Sequence, residues 1–103
     1  MRLEHYPIKK LKKEILEIFG RHLSLAEYHV FFFGSRVAGG GTERSDIDVG
    51  IEGEKPIPAG ALLDIQEEVK EIPMLYKMEI VYFNRVAPIF KEVARQHIEF
   101  ISA

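Results

Sequence analysis

The sequence predicts a single α/β domain, and three observations lead to this prediction. The chain has 103 residues, which is the usual size of one domain. Segments with apolar residues at helical spacing alternate along the chain with short runs of aromatic and β-branched residues. No repeat, low-complexity tract or long linker interrupts them, so residues 1–103 are expected to form one domain.

The N-terminal half is predicted to contain one helix and two strands. The helix begins after Pro7 and ends near Gly20, because its apolar residues recur at steps of three and four: Ile8, Leu11, Ile15, Ile18 and Phe19. His29–Phe33 is a compact apolar run that suits a strand buried on both faces, and Asp46–Glu52 follows as a second strand. Ser35–Ser45 is polar and rich in glycine, which predicts a loop with one helical turn at its start.

The C-terminal half is predicted to contain two further helices and a third strand. Ala59–Glu71 carries one apolar stripe and one charged stripe, which indicates an amphipathic helix, and Pro73 ends it. Lys77–Phe83 is typical of a strand, and Pro88 at a helix start predicts a helix that runs to about His97. The tail, Glu99–Ile101, is expected to add a short edge strand.

Composition and charge exclude several classes of function. The chain has 14 Lys and Arg residues against 16 Asp and Glu residues, so we expect no general binding of nucleic acid through bulk charge. The absence of cysteine excludes cysteine-ligated metals and thiol nucleophiles, and it favours a reducing, cytoplasmic location. The longest apolar run, Val30–Phe33, is too short for a membrane helix. The four histidines have no metal-ligand spacing, so we expect structural or surface roles for them: His5, His22, His29 and His97.

Two aspartates on the second strand are the first candidates for chemistry. Residues two apart on a strand point to the same face, so Asp46 and Asp48 project together while Ile47 and Val49 face the core. At a separation of about 4–5 Å and an effective dielectric of 20, their charges repel by roughly 3–4 kcal/mol. Folding alone does not require such a pair. Mg²⁺ does, because it binds oxygen ligands and is shared between one or two carboxylates and substrate phosphates.

A glycine-serine turn after the first strand supplies the complementary anion site. Gly34 at a strand-to-helix turn lets backbone N–H groups approach a phosphate, and the hydroxyl of Ser35 adds a further donor. Gly39–Gly41 would let the loop fold over a triphosphate, although no Gly-Lys-Ser/Thr follows and the motif is not a Walker loop. Three residues at the start and end of the loop complete the nucleotide-binding candidates: Arg36, Arg44 and Ser45. For the two arginines, phosphate contact and solvation of the loop both stay open.

The combined pattern resembles the minimal nucleotidyltransferases of the DNA polymerase beta superfamily. It consists of Phe33-Gly34-Ser35, ten further residues, and then Asp46-Ile47-Asp48. The resemblance covers nearly the whole chain and implies a nucleotidyltransferase fold, with a small mixed β-sheet flanked by helices. It also implies a third carboxylate on the next strand, and Glu79 is the acidic residue there, where the family more often has Asp. Two Mg²⁺ ions on Asp46, Asp48 and Glu79 would then serve transfer from ATP.

Length and spacing are most similar to the antitoxins of HEPN–MNT toxin-antitoxin pairs. This resemblance implies an enzyme that transfers AMP from ATP to a tyrosine hydroxyl of an all-helical HEPN ribonuclease toxin, and so a homo- or hetero-oligomer. Two alternatives stay open. One is a non-catalytic antitoxin that acts by binding alone, with the site degenerate at Glu79. The other is a small-molecule nucleotidyltransferase of the aminoglycoside type, which usually needs an extra helical domain.

Overall fold

The computed structural model describes residues 1, 3–39 and 45–102, which form four helices, four strands and one 3-10 turn. Within these residues no helix is long and apolar enough to cross a membrane. The elements follow one another in this order: α1 Ile8–His22, β1 Tyr28–Phe33, α2 Ser35–Ala38, β2 Ile47–Gly53, α3 Ala59–Val69, β3 Met78–Tyr82, the 3-10 turn Phe83–Arg85, α4 Pro88–Ala94 and β4 Glu99–Phe100.

The predicted elements and their order are confirmed, and the differences lie at the ends of helices and strands. β2 begins at Ile47 rather than at Asp46, and α3 ends at Val69 rather than at Glu71. α1 continues past Gly20 to His22 because tertiary packing offsets the small intrinsic cost of a helical glycine. α4 ends at Ala94 rather than His97, since the last turn tightens. There the N–H groups of Gln96 and His97 donate to carbonyls three residues back instead of four.

The four strands form one mixed sheet, as expected, and they lie in the order β3-β2-β1-β4. β1 pairs antiparallel with both of its neighbours, β2 and β4. β2 and β3 run parallel, with α3 in the connection between them. The start of β2 therefore lies between the end of β1 and the start of β3, so three separate chain segments meet at that point.

One face of the sheet carries the main hydrophobic core. α1 and α3 cover this face, and alternate residues of β2 point into it because side chains on a strand alternate between faces. The side chains with no exposed surface in this core include Leu11, Ile15, Phe19, Val30, Phe32, Ile47, Val49, Ile51 and Ile65.

The opposite face carries a small aromatic cluster formed by Phe31, Phe33 and Phe83. The ring of Phe83 lies edge-on to Phe31 and Phe33, with centroids 4.9 and 5.0 Å apart. Gly50 lies beneath these rings, and a Cβ there would be 2.4 Å from Phe31. β1 is thus buried on both faces, as its unbroken apolar run predicts.

Candidate active site

Three carboxylates lie on the aromatic-cluster face of the sheet, around the paired starts of β2 and β3. Asp48 is directly opposite Glu79 in the parallel ladder, and Asp46 comes immediately before β2. Ile47 and Val49 have no exposed surface on the other face, which leaves the aspartates on the open face. Asp46 and Asp48 are half-buried, and Glu79 is exposed.

The electrostatics of Asp48 reflect its surroundings. Burial raises the pKa of the Asp48 carboxyl above its ordinary value, and the negative charges of Glu79 and then Asp46 raise the pKa further. The charges of Glu79 and Asp46 therefore disfavour the ionised form of Asp48. A bound cation would reverse this effect, because a nearby positive charge favours the ionised form of Asp48.

Gly34 brings the backbone of the strand-to-helix turn against this group. It has φ +85° and ψ −165°, a conformation that glycine adopts readily and residues with a Cβ rarely adopt. A Cβ added at Gly34 would lie 2.3 Å from Oδ2 of Asp48. α2 starts directly afterwards, and its Val37 and Ala38 N–H groups donate to the carbonyl of Gly34. Glycine is therefore required here for both conformation and space.

Arg36 lies across the base of the loop between α2 and β2. Its Nε donates a hydrogen bond to the carbonyl oxygen of Ser45, at 2.8 Å. Its guanidinium carbon lies 4.7 Å from the ring centre of Tyr76. The predicted contact of Arg36 with phosphate stays a prediction. Arg44 and part of the glycine run, residues 40–41, lie outside the described residues, so their predicted roles also stay predictions.

A pocket of about 490 Å³ opens beside Asp48 and Glu79. One wall carries these two carboxylates and Gly34, and the rest of the lining is largely apolar, with Phe90, Val93 and Ala94 contributed by α4. The lining residues outside the carboxylate wall are Phe33, Ala38, Val81, Phe90, Val93, Ala94, Gln96 and His97. The pocket therefore combines carboxylate oxygens with apolar side chains.

α4 is fixed beside the pocket by ion pairs to β2. Lys91 Nζ lies 2.6 Å from a carboxylate oxygen of Glu52, and Arg95 pairs with the other oxygen. Burial alone would raise the pKa of Glu52, but the hydrogen bonds from Lys91 and Arg95 hold that pKa below its ordinary value. Sequence reasoning missed the contribution of α4 to the pocket. The one available signal was apolar side chains on a short helix, and Ile89 and Val93 are indeed 73% and 60% exposed.

Residues 13–102 match the family model described as polymerase beta, nucleotidyltransferase. The chain belongs to this nucleotidyltransferase family. No curated protein matches the sequence. The expected resemblance is confirmed, and the mixed sheet is the one expected for a nucleotidyltransferase fold.

Solved structures with a similar fold come from toxin-antitoxin complexes. A toxin-antitoxin crystallised with AMP-PNP has a TM-score of 0.69 and 12% identity, over 87% of this chain and 71% of that chain. A mutant of the toxin-antitoxin MntA-HpeT has a TM-score of 0.67 and 9% identity, over 87% and 70%. A complex of tri-AMPylated Shewanella oneidensis HEPN toxin with MNT antitoxin has a TM-score of 0.65 and 11% identity, over 90% and 71%.

The carboxylates of this nucleotidyltransferase fit a hard divalent cation by donor type. In the described parts of the chain, no three His, Asp or Glu side chains converge closely enough to form a ready-made metal site. Asp46, Asp48 and Glu79 nevertheless offer only oxygen donors, and Mg²⁺ is commonly held by one or two carboxylates with water and substrate phosphates as its other ligands. The donor set is therefore suited to a divalent cation whose remaining ligands are water or phosphate oxygens.

Proposed function

We propose that this nucleotidyltransferase is the antitoxin of a HEPN–MNT pair and transfers AMP from ATP to a tyrosine hydroxyl of its cognate toxin. One observation carries the proposal: Asp48 faces Glu79 across β2 and β3, with Asp46 two residues earlier and the Gly34 backbone against Asp48. The fold likeness to a HEPN toxin complex with MNT antitoxin supports the choice of partner. Both ATP and such a partner are met in the cytoplasm, so we propose that location.

Different residues of the chain would have different roles in the transfer. Asp46 and Asp48 would hold two Mg²⁺ ions, and Glu79 would complete the site. When bound, such ions stabilise the entering and leaving oxygens and the charge on the α-phosphate. The turn from Gly34 into α2, with the N–H and hydroxyl of Ser35, would orient the phosphates, because backbone N–H groups at a helix start can face an anion.

The chemical step forms one bond to phosphorus, breaks another and transfers one proton. The acceptor hydroxyl oxygen attacks the α-phosphorus of ATP, and the bond from that phosphorus to the oxygen bridging to the β-phosphate breaks. Pyrophosphate leaves, and AMP is joined to the acceptor. Glu79, exposed beside the half-buried Asp48, would accept the hydroxyl proton.

The apolar wall of the pocket supports an aromatic acceptor that belongs to a protein. Phe90 and Val93 line the pocket, and a phenol ring packs well against such surfaces while its hydroxyl points at the carboxylates. Ile89 and Val93 extend the apolar surface outward from the pocket. A small polar acceptor would leave this surface uncovered, whereas a protein acceptor would bury it.

The test is transfer of label from α-³²P-ATP to a purified HEPN partner in the presence of Mg²⁺. We expect labelling by the wild type and none above background with Asp48→Asn. The matched control is Asp64→Asn, which makes the same chemical change at an exposed position on α3 and should label at the wild-type rate. Label that appears equally with Asp48→Asn would overturn the assignment of the site.

A second candidate, an antitoxin that acts by binding alone, is favoured by one specific observation. The three carboxylates do not converge into a metal cluster within residues 1, 3–39 and 45–102. If this candidate holds, the wild type transfers no label to its partner, and Asp48→Asn suppresses toxicity in cells as well as the wild type does. If AMP transfer is the function, Asp48→Asn fails in both assays.

A further inference from the structure

Two hydrogen bonds hold the backbone on either side of Asp46. On one side, the carbonyl of Ser45 accepts from Nε of Arg36 at 2.8 Å. On the other side, the N–H of Ile47 donates to the carbonyl of Lys77, also at 2.8 Å. Asp46 itself precedes the first residue of β2, so the paired strands do not fix it by themselves. These flanking bonds therefore fix the backbone position from which the Asp46 side chain extends.

Tyr76 connects the two sides of this arrangement. It directly precedes Lys77, and its ring supports the guanidinium of Arg36 at 4.7 Å. Only 8% of the Tyr76 surface is exposed, so its ring is a fixed platform. An arginine stacked on a buried aromatic ring keeps its planar group in one orientation, and here that orientation directs Nε at Ser45.

The N-terminal segment before α1 anchors Tyr76 in turn. The backbone N–H of His5 donates to the hydroxyl of Tyr76 at 3.1 Å, and the His5 ring stacks on the tyrosine ring with centroids 6.4 Å apart. A chain of contacts thus runs from His5 through Tyr76 and Arg36 to Ser45. We call Arg36 and Tyr76 together the Arg36–Tyr76 clamp.

We infer that the Arg36–Tyr76 clamp is a positioning device that keeps Asp46 beside Asp48, so that both carboxylates can reach the same divalent cation. The inference rests on the proposed function, because that function supplies the cation. Like charges on Asp46 and Asp48 repel, and without the clamp the end of the loop is free to move Asp46 away. Arg36 acts here through Ser45 and Asp46, which differs from direct contact with a phosphate.

The test compares variants of the clamp with a matched pair elsewhere in the fold. Arg36→Gln and Tyr76→Leu remove the two halves of the clamp. Arg85→Gln is the control, because Arg85 stacks over Tyr82 at 5.4 Å in a similar arrangement near the far end of β3. Tyr76→Phe keeps the ring and removes only the hydroxyl, so its effect should lie between that of the wild type and that of Tyr76→Leu.

The first readout is Mn²⁺ binding without nucleotide, measured by electron paramagnetic resonance. We expect Arg36→Gln and Tyr76→Leu to weaken Mn²⁺ binding about 10-fold or more, as mutation of residues that orient metal ligands typically does. Arg85→Gln should bind Mn²⁺ as the wild type does. Unchanged Mn²⁺ affinity in both clamp variants would overturn the inference, as would an equal loss in Arg85→Gln.

The second readout is backbone hydrogen exchange at residues 45–47, which does not depend on catalysis. Exchange should speed up in the two clamp variants and stay unchanged in Arg85→Gln. Hydrogen exchange at residues 45–47 that is as slow in Arg36→Gln as in the wild type would contradict the clamp.

Transfer kinetics separate the clamp from the proposed function. If the wild type transfers no AMP but the clamp variants lose Mn²⁺ binding, the proposed function fails and the clamp stands. If Arg36→Gln raises only the KM for ATP and keeps wild-type Mn²⁺ affinity, Arg36 contacts phosphate and the clamp is wrong. If the wild type transfers AMP and both clamp variants reach half of their maximal rate at the same Mg²⁺ concentration as the wild type, the clamp is wrong while the function stands.

Discussion

The two faces of the sheet differ in how deeply their side chains are buried and in whether those side chains are apolar or charged. The face under α1 and α3 is closed, and side chains such as Phe32 and Val49 have no exposed surface there. The other face carries only a small aromatic cluster, and it leaves Asp48 half-buried and Glu79 exposed beside a pocket. The alternation along β2 therefore divides one strand between buried apolar side chains on one face and the proposed catalytic carboxylate on the other.

The largest expected effect is on the closed face. Phe32→Ala should lower the free energy of unfolding by about 3–5 kcal/mol, because it leaves a cavity among fully buried side chains. Urea-induced unfolding measures this change. Phe100→Ala is the matched control, since Phe100 is 54% exposed and its truncation should change stability by less than about 1 kcal/mol. Equal losses in the two variants would mean that the closed face is not the main source of stability.

The next effect is on the open face and concerns activity rather than stability. Glu79→Gln keeps the shape of the side chain and removes its charge, so AMP transfer should fall by about 10²-fold or more. Glu79→Asp should retain partial transfer, because it keeps a carboxylate. Initial rates of labelling with α-³²P-ATP measure both variants. Wild-type rates in Glu79→Gln would show that the third carboxylate is dispensable.

Gly34→Ala should lower both stability and AMP transfer, because Gly34 has a positive φ and lies against the Asp48 carboxylate. The positive φ costs a residue with a Cβ about 1–2 kcal/mol, and the new Cβ would displace the Asp48 carboxylate. We expect a loss of stability of that size and a fall in transfer of at least about 10-fold, for which unfolding curves and labelling rates are the measurements. Gly60→Ala is the control, since open space surrounds Gly60 on α3 and alanine should stabilise the helix by about 0.5–1 kcal/mol. A stable and fully active Gly34→Ala would contradict the close approach to Asp48.

The smallest expected effect is a pH dependence that is specific to the open face. The folded-state pKa of Asp48 is raised above its ordinary value of 3.8, so the folded state binds a proton more readily than the unfolded state. Stability from this group therefore rises as the pH falls from neutral through the raised pKa, and it is lowest when the carboxylate is ionised. Without metal, Asp48→Asn should melt slightly above the wild type at pH 7.

Melting curves of both proteins from pH 7 to pH 4 measure this difference, which should shrink as the pH falls. The comparison with Asp48→Asn is needed because the pKa of Glu52 is lowered, so the protein loses the stability contributed by Glu52 as the pH falls over the same range. A difference that stays constant with pH, or that grows, would show that Asp48 is not destabilised by its neighbours.

Much of the fold could be predicted from local patterns. The spacing of Ile15, Ile18 and Phe19 and the apolar run at Phe31–Phe33 each report on their own segment, and the structure confirms both elements. Alternation alone also predicts that Glu79 faces away from Ile80, and the parallel pairing with β2 brings Glu79 opposite Asp48.

The remaining features of the site depend on contacts between distant segments. Nothing near Arg36 in the sequence indicates that it stacks on Tyr76, 40 residues further along the chain. The position of His97 in the pocket wall likewise depends on how α4 docks onto β2 through Lys91 and Arg95, so its lack of ligand spacing was uninformative. Helix ends were the other gap, because Gly20 is a weak stop signal when the next turn can still pack.

The parallel pairing of β2 and β3 also has a consequence for the time at which the site can form during synthesis. Asp48 and Glu79 belong to strands that are separated by the whole of α3, so their contact is non-local and is made late compared with the formation of α1. A ribosome-bound chain that ends within α3 carries both aspartates but lacks the strand that faces them. The three carboxylates can therefore come together only after Glu79 has left the ribosome.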